Sequence, residues 1–201
     1  MQYSTFAAID IGSYDVILEI FEISKKQGIR SVDKICHRME LGKDTYTLGK
    51  IRPEMEEELC RVLADFVRIM EGYRVDAYRA MASSAISEAA NSLYVLGKIR
   101  QLTGLSVTVL SNSEQRFLGY KALAAMEDNF NKVIEKGTAI LDLDGGSFQI
   151  SLFDKDALVT TQNIRMGSLR VRERLAGIQS ETEHYEEMVE ELIWNEVSSF
   201  K

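Results

Sequence analysis

The sequence predicts an α/β protein built from two lobes, and three observations lead to this expectation. A unit made of an apolar strand, an aspartate, small residues and a second strand occurs twice, at residues 5–21 and 139–153. Segments with the period of an α-helix lie between these units and after them. The composition, 45% apolar and 27% charged over 201 residues, is typical of a globular protein and not of a disordered chain. We place the lobes at residues 1–128 and 137–201.

Hydrophobic patterning predicts the elements of the first lobe in order. Three strands are expected near residues 5–11, 16–21 and 29–36, because their apolar residues form runs or alternate with polar ones. A helix is expected after Pro53, since proline fits a first helical turn and apolar residues then return every three or four positions. The next elements are a strand at 76–82, a helix from 84 or 85 to 103 ended by Gly104, a strand at 107–110, and a helix opened by a capping box from Ser111 to Glu114.

The second lobe is predicted to begin like the first. After a polar link at residues 129–136, strands are expected at 139–143, 148–153 and 158–164. A last helix is expected from Ser180, where Glu183 completes another capping box. Its apolar residues are expected to face the core: Tyr185, Met188, Val189, Leu192 and Val197.

Charge and cysteine content argue against several classes of protein. The 31 acidic and 24 basic residues give a net charge of −7, which repels nucleic acid and anionic membranes. Cys36 and Cys60 form neither a disulfide framework nor a metal-binding spacing. We see no secretory leader and no apolar run of the ~20 residues that a membrane span needs. We therefore expect a soluble cytoplasmic chain without nucleic-acid or membrane partners.

The first candidate motif, Asp10-Ile11-Gly12-Ser13, ends the first predicted strand. Gly12 lets the backbone approach an anion closely, and Ser13 adds a hydroxyl donor. These residues fit a phosphate-binding loop with Asp10 beside it for a metal ion. An ordinary hairpin turn fits the same residues, so both interpretations stay open at this point.

The second candidate motif, from Asp142 to Ser147, is more specific. Carboxylates at positions i and i+2 of a strand point to the same face, so Asp142 and Asp144 are candidate ligands of Mg²⁺. A tight turn with solvated aspartates is the alternative. The rest of the motif supplies candidate phosphate-binding residues: Gly145, Gly146 and Ser147.

A third candidate motif, from Ala82 to Asn91, lies where a predicted strand meets a helix. The unpaired amides and partial positive charge of a helix N-terminus favour phosphate. Ser84 is therefore a further candidate phosphate-binding residue, although simple serine capping of the helix explains it equally well.

In this order, the motifs resemble the exopolyphosphatase / guanosine pentaphosphate phosphohydrolase (Ppx/GppA) family of the actin-like ATPase superfamily. The resemblance implies two ribonuclease-H-like lobes with mixed sheets and a phosphate chain, polyphosphate or guanosine polyphosphate, in the cleft between them. It also implies Mg²⁺-assisted attack of water on a terminal phosphoanhydride. A homodimer is left open. The resembling segments extend over essentially the whole chain: residues 8–13, 81–89, 109–115, 141–149 and 166–170.

The resemblance also implies roles for individual residues. Asp10 and Asp142 would hold the metal, while Gly12, Ser13 and the residues from Gly145 to Ser147 would bind phosphate. Glu114 and Gln115 stand where the family has paired glutamates, one of which resembles its general base. The family's second lobe continues beyond the position of residue 201, so this lobe is expected to be short of strands and helices.

Several residues depart from the family's pattern. Gln115 and Gln149 replace glutamates, Ser87 replaces an arginine, Tyr14-Asp15 replaces Asn-Ser, and Asp144 replaces a glycine. Glutamine cannot accept a proton from water, and loss of a positioned general base lowers a rate by about 10²–10⁴-fold. Serine also lacks the charged donors that arginine offers to phosphate. We therefore expect weak or absent hydrolysis.

An active Mg²⁺-dependent hydrolase, which releases terminal phosphate from these compounds, is the alternative expectation. Glu114 would then be the general base itself. Asp144 would replace the carboxylate that is missing at residue 149.

Overall fold

The computed structural model describes residues 3–126, 130–176 and 184–198. The chain divides into two compact units, Met1–Ser111 and Asn112–Lys201, and each has its own sheet. The predicted α/β class with mixed strand directions is confirmed. The first unit contains β1 (Ser4–Ile11), β2 (Asp15–Ser24), β3 (Gly28–Arg38), α1 (Leu41–Leu48), α2 (Pro53–Gly72), β4 (Ala77–Ala82), α3 (Ser84–Ser87), α4 (Ser92–Thr103) and β5 (Val107–Val109).

Strand β1 lies at the centre of the first sheet, whose order is β3-β2-β1-β4-β5. It pairs antiparallel with β2 and parallel with β4, so both of its edges are hydrogen-bonded. Alternate residues of β1, such as Ile9 and Ile11, are buried in the same core cluster as the apolar faces of α2 and α4. This alternation leaves Asp10 on the other, exposed face.

Helix α2 confirms the predicted apolar stripe. It begins at Pro53, Met55 is partly buried, and the other residues of the stripe are buried: Leu59, Val62, Leu63, Phe66 and Met70. Glu56 is buried among them, and Asn91 and Lys98 donate hydrogen bonds to its carboxylate at 2.7 and 3.4 Å. Because a buried carboxylate without partners is costly, this cluster stabilises the contact between α2 and α4.

The single helix predicted from residue 84 or 85 to 103 is wrong, because the chain forms two helices, α3 and α4, with a turn between them. Residues in this turn bond to a neighbouring segment: the Ala90 amide donates to the Gly49 carbonyl at 2.9 Å. The Asn91 side chain exchanges hydrogen bonds with the Ile51 backbone at 2.8 and 3.0 Å. The predicted end of α4 at Gly104 is confirmed by its positive φ of 73°.

The second unit contains one antiparallel sheet with helices on both faces. Its strand order is β6-β7-β8, so β6 lies at an edge. One face packs against α7 and α8 through a core that includes Ile150 and Leu175. The elements are α5 (Asn112–Met126), α6 (Phe130–Glu135), β6 (Thr138–Leu143), β7 (Phe148–Asp154), β8 (Ala157–Ile164), α7 (Ser168–Leu175) and α8 (Tyr185–Val197).

Helix α5 belongs to the second unit, although the sequence analysis placed it in the first lobe. The Tyr120 hydroxyl donates to Ser151 of β7, and the Tyr120 ring meets Phe153 edge-on at 5.3 Å. Arg116 donates to Thr161 of β8 at 3.3 Å. These contacts fix α5 on the second face of the β6-β7-β8 sheet, in the compact unit that begins at Asn112. The lobe bounds 1–128 and 137–201 stay a prediction.

Three short helices were not predicted: α1, α6 and α7. Helix α6 lies within the segment that was predicted to be a polar link. The predicted start of the last helix, at Ser180, lies outside the described residues, while α8 itself begins at Tyr185 and packs its predicted apolar residues against the core. No helix in the described ranges is both long and apolar enough to cross a lipid bilayer.

Candidate functional site

The first candidate loop, residues 12–14, connects β1 to β2. The Gly12 amide donates to the Asp15 carbonyl at 3.0 Å, and a Cβ added at Gly12 would lie 3.0 Å from that same oxygen. The Ser13 carbonyl accepts from the Gly42 amide of α1 at 2.9 Å. Two further amides, just before α1, donate to the Tyr14 carbonyl. These carbonyls would repel an anion. They accept hydrogen bonds from α1 and from the residues just before it.

Three hydroxyl groups meet at the first loop. The Ser13 Oγ is 2.7 Å from the Tyr46 Oη and 3.2 Å from the Ser84 Oγ, and the Tyr46 Oη is 2.9 Å from the Ser84 Oγ. The structure thus brings together two predicted phosphate-binding residues, Ser13 and Ser84, and adds a tyrosine. The neighbouring Ser83 Oγ is buried without a hydrogen-bond partner among the described residues.

The second candidate loop connects β6 to β7. The Asp144 amide donates to the Ser147 carbonyl at 2.9 Å, and the Gly145 amide donates to the Asp144 Oδ1 at 2.6 Å. The carbonyls of Asp144 and Gly145 accept from the first amides of α7 at 3.0 to 3.1 Å. The Arg170 Nε donates to the Gly146 carbonyl at 3.0 Å. As in the first loop, a short helix donates hydrogen bonds to the carbonyl groups of the loop.

Gly167, which precedes α7, makes this close approach possible. A Cβ at Gly167 would lie 2.3 Å from the Asp144 carbonyl oxygen and from the Gly145 carbonyl carbon. Both atoms belong to the backbone of the second loop and cannot rotate away. Any larger residue at this position must therefore displace the loop.

Asp142 and Gln149 lie side by side on adjacent strands of the second sheet. They are partners in the antiparallel register of β6 and β7, and both line a cavity of about 270 Å³ together with Arg116 and Tyr120 of α5. Gln149 is 7% exposed, and no hydrogen bond of its carboxamide to a described residue is found. The Gln149 carboxamide is thus a polar group of this cavity without a hydrogen-bond partner among the described residues.

The pKa of Asp142 is raised above its ordinary value, first by loss of surrounding water and then by the negative charge of Asp144. The exposure of Asp142 limits the size of this effect. Asp142 and Asp144 are an oxygen-only pair, as Mg²⁺ prefers when it binds through one or two carboxylates plus phosphate. Within the described ranges, no group of three or more His, Cys, Asp or Glu residues could hold a metal ion. Asp10, the third predicted ligand, belongs to the first unit.

The two candidate catalytic residues lie in the first turn of α5. Because α5 begins at Asn112, Ser111 and Glu114 occupy the positions that the predicted capping box requires. Glu114 is exposed and Gln115 is half-buried. Their position therefore suits a structural role at the helix end, and their catalytic role stays a prediction.

Sequence reasoning missed two residues of these sites. Tyr46 lies in α1, which has no clear apolar period, so no pattern in the sequence singles it out. Arg116 follows Gln115 directly, and an arginine next to the first turn of a candidate catalytic helix was a usable signal for the cavity.

The fold and the two loops define the class of this protein. Each unit starts its sheet with a strand that carries an aspartate near its end and a small-residue loop that a short helix covers. This is the actin-like ATPase fold. The chain belongs to the Ppx/GppA phosphatase family, whose model matches residues 19–201.

Comparison with individual proteins agrees with this family. The chain is 21% identical over 174 residues to a bifunctional 3-dehydroquinate synthase/phosphatase of Fusobacterium nucleatum, covering 84% of this chain and 26% of that protein. It is 25% identical over 144 residues to exopolyphosphatase 1 of Mycobacterium leprae, covering 71% of this chain and 41% of that protein. The crystal structure of the Aquifex aeolicus Ppx/GppA family member matches all of this chain with a TM-score of 0.73 and 23% identity. This chain spans 63% of the Aquifex protein.

Proposed function

We propose that this protein binds chains of linked phosphates, inorganic polyphosphate or guanosine polyphosphate, and hydrolyses them slowly or not at all. The observation that carries this proposal is Gln149. It is buried opposite Asp142, and its carboxamide has no protein partner among the described residues. The family resemblance implies a glutamate at this position, so an acidic group is missing at the end of the second loop.

Phosphate binding is supported by the way both loops are held. Their carbonyls accept hydrogen bonds from α1 and α7 and are thereby turned away from a ligand. Gly12, Gly145 and Gly146 lack a Cβ, which lets the backbone come close to an anion. Ser147 supplies a hydroxyl donor, and the buried Ser13 and Ser84 supply two more once they are uncovered.

Mg²⁺ is part of the proposal, with Asp142 and Asp144 as its protein ligands. The like charge of Asp144 is one cause of the raised pKa of Asp142, and a divalent cation would remove this repulsion. When bound, Mg²⁺ would neutralise phosphate charge. Gln149 offers no charge to the cation and cannot accept a proton from water, which is why slow hydrolysis is proposed.

The runner-up function is an active Mg²⁺-dependent hydrolase that releases terminal phosphate. Two observations favour it: Glu114 is an exposed carboxylate in the first turn of α5, and Asp144 lies close enough to Asp142 to affect its pKa. In that case Glu114 is the general base that accepts a proton from the attacking water, and Asp144 supplies the carboxylate missing at residue 149.

The proposed location is the cytoplasm, where thiols stay reduced. Both cysteines are free: Cys36 is exposed and Cys60 is buried.

Phosphate release and binding together test the proposal. We expect tripolyphosphate to bind in the presence of Mg²⁺, as measured by isothermal titration calorimetry, with little phosphate release. The double variant Gln115→Glu plus Gln149→Glu restores both glutamates, so its release rate should rise about 10²-fold or more. A matched control, Gln27→Glu plus Gln101→Glu, adds the same charge at exposed positions and should change nothing.

The runner-up function makes the opposite prediction. The unaltered protein would release phosphate rapidly, and Glu114→Gln would abolish this release. Failure of the unaltered protein to bind any phosphate chain would contradict both functions.

A further inference from the structure

The hydroxyl cluster formed by Ser13, Tyr46 and Ser84 closes the first loop. Ser13 has 0% of its surface exposed, and Ser84 has 9%. A hydroxyl without exposed area cannot contact a ligand unless a neighbouring atom moves. Tyr46 is partly exposed, and its Oη is within hydrogen-bond distance of both serine oxygens. Tyr46 is therefore a side chain that separates these two serines from a ligand.

The protons of the hydroxyl cluster are engaged in hydrogen bonds between its own members. Three hydroxyls carry three protons, and the oxygen separations of 2.7 to 3.2 Å let each hydroxyl donate within the cluster. An anion needs donors, so a serine hydroxyl that donates within the cluster has to turn its proton towards the ligand.

The Tyr46 Oη occupies the position that a ligand oxygen would take. A phosphate oxygen that accepts hydrogen bonds from two serines lies about 2.5–3.0 Å from each Oγ. The Tyr46 Oη lies 2.7 Å from the Ser13 Oγ and 2.9 Å from the Ser84 Oγ. The phenol oxygen thus mimics a bound phosphate oxygen.

The backbone around Tyr46 is firmly held, so opening must occur by side-chain rotation. The Thr45 Oγ1 donates to the Ala85 carbonyl at 2.7 Å, next to Ser84. The buried Asp44 carboxylate accepts from the amide and the Nε of Arg52 at 2.9 Å. These contacts hold α1 in place, so the Tyr46 hydroxyl leaves the serines by rotation of its side chain about χ1.

We infer that Tyr46 is a specificity-determining residue that closes the first phosphate loop, and that a phosphate ligand must displace its hydroxyl to reach Ser13 and Ser84. This inference rests on the proposed function. Tyr46 thereby selects ligands that bind strongly enough to replace its contacts with both serines.

Calorimetric titration with tripolyphosphate and Mg²⁺ tests the inference. Tyr46→Ala should bind about tenfold more tightly than the unaltered protein, since two hydrogen bonds no longer have to be displaced. Tyr46→Phe, which keeps the ring but lacks the oxygen, should change affinity in the same direction by about threefold. Tyr73→Phe is the control, because its hydroxyl bonds instead to Asp33 at 2.9 Å, and it should bind like the unaltered protein.

A second variant tests whether the gain in affinity depends on Ser84. Adding Ser84→Ala to Tyr46→Ala should remove the gain in affinity, and a gain that persists would overturn the inference. Circular dichroism checks that each variant is folded, and Tyr46→Phe carries the test if Tyr46→Ala is not.

The outcomes separate this inference from the proposed function. Tighter binding by the Tyr46 variants than by the unaltered protein supports it. Binding by the unaltered protein with equal or weaker binding by the folded Tyr46 variants overturns the inference and leaves the proposed function intact. No binding by any of these proteins overturns both.

Discussion

The two units contain the same local pattern, yet its apolar residues have opposite environments. In β1, Ile9 and Ile11 flank Asp10 and are 2% and 0% exposed. In β6, Leu141 and Leu143 flank Asp142 and are 63% and 64% exposed. A strand of alternating residues thus forms in both units, but only one of them buries its apolar face.

Neighbouring elements cause this difference. Strand β1 pairs on both edges and contributes to the core cluster that includes α2 and α4. Strand β6 pairs with β7 alone in the described part of the chain, and the core under α7 and α8 centres on β7 and β8. Local sequence therefore decides the strand and its two faces, whereas the burial of a face depends on what packs against it.

The two loops differ in how closely their covering helix approaches. In the first unit, Gly42 of α1 donates one hydrogen bond to the Ser13 carbonyl. In the second unit, three amides of α7 and the Arg170 side chain bind the loop, and a Cβ added at Gly167 would lie only 2.3 to 2.4 Å from its backbone atoms. The second loop is therefore the more sensitive to changes in its cover.

The largest expected effect tests the contrast in burial. Ile11→Ala should lower the free energy of unfolding by about 2–5 kcal/mol, because it removes buried methyl groups from a packed core. Leu143→Ala should change it by no more than about 0.5 kcal/mol, because the side chain is exposed. Urea unfolding followed by circular dichroism measures both. Equal costs for the two variants would show that the face of β6 is covered in solution.

The next effect tests the difference between the loops. Gly167→Ala should cost about 1–3 kcal/mol, since its Cβ overlaps backbone atoms. It should also weaken tripolyphosphate binding, because the second loop must move. Gly137→Ala is the matched control, as a Cβ there meets nothing within 4 Å. Thermal unfolding and calorimetric titration provide the measurements, and unchanged stability and binding in Gly167→Ala would contradict the close packing.

The smallest effect concerns the charge of the second aspartate. The pKa of Asp142 is raised above 3.8 in the folded protein, so the folded state binds more protons than the unfolded state just above pH 3.8, and stability falls as pH rises through this window. Asp142→Asn removes this penalty and should stabilise the protein at pH 7, by less than about 0.5 kcal/mol for so exposed a group.

The pH dependence supplies the check on this prediction. Below pH 3.8 the unaltered carboxyl is protonated in both states, so the gain from Asp142→Asn should vanish there. Urea midpoints at pH 7 and pH 3.5 measure the gain. Asp154→Asn, at the exposed end of β7, controls for the loss of one negative charge. An unaltered protein that is more stable than Asp142→Asn at pH 7 would contradict the assigned direction.

Long periodic segments were predicted well, whereas short ones were not. The stripe of α2 and the strands β1, β6 and β7 were recognised because apolar spacing repeats over many residues. Helices α1 and α7 span eight residues each and depend on hydrogen bonds to the loops that they cover. The break between α3 and α4 depends on Gly49 and Ile51, which are distant in sequence.

The same distinction applies to the candidate site. Asp10, Asp142 and the small residues of both loops are visible in the sequence, because their chemistry is local to a few adjacent positions. Tyr46 at the first loop and Arg116 in the cavity are not, because long-range packing brings them there.

The amino-acid sequence by itself determined the strands, the long helices α2 and α5 and the two aspartate-containing loops, since periodicity and turn chemistry act over neighbouring residues. Only the tertiary structure decided that Ile11 is buried while Leu143 is exposed, that α5 packs on the second sheet, and that the Tyr46 hydroxyl lies beside those of Ser13 and Ser84. Those outcomes depend on contacts between segments far apart in the chain, where each pairing competes with many others that local preference does not distinguish.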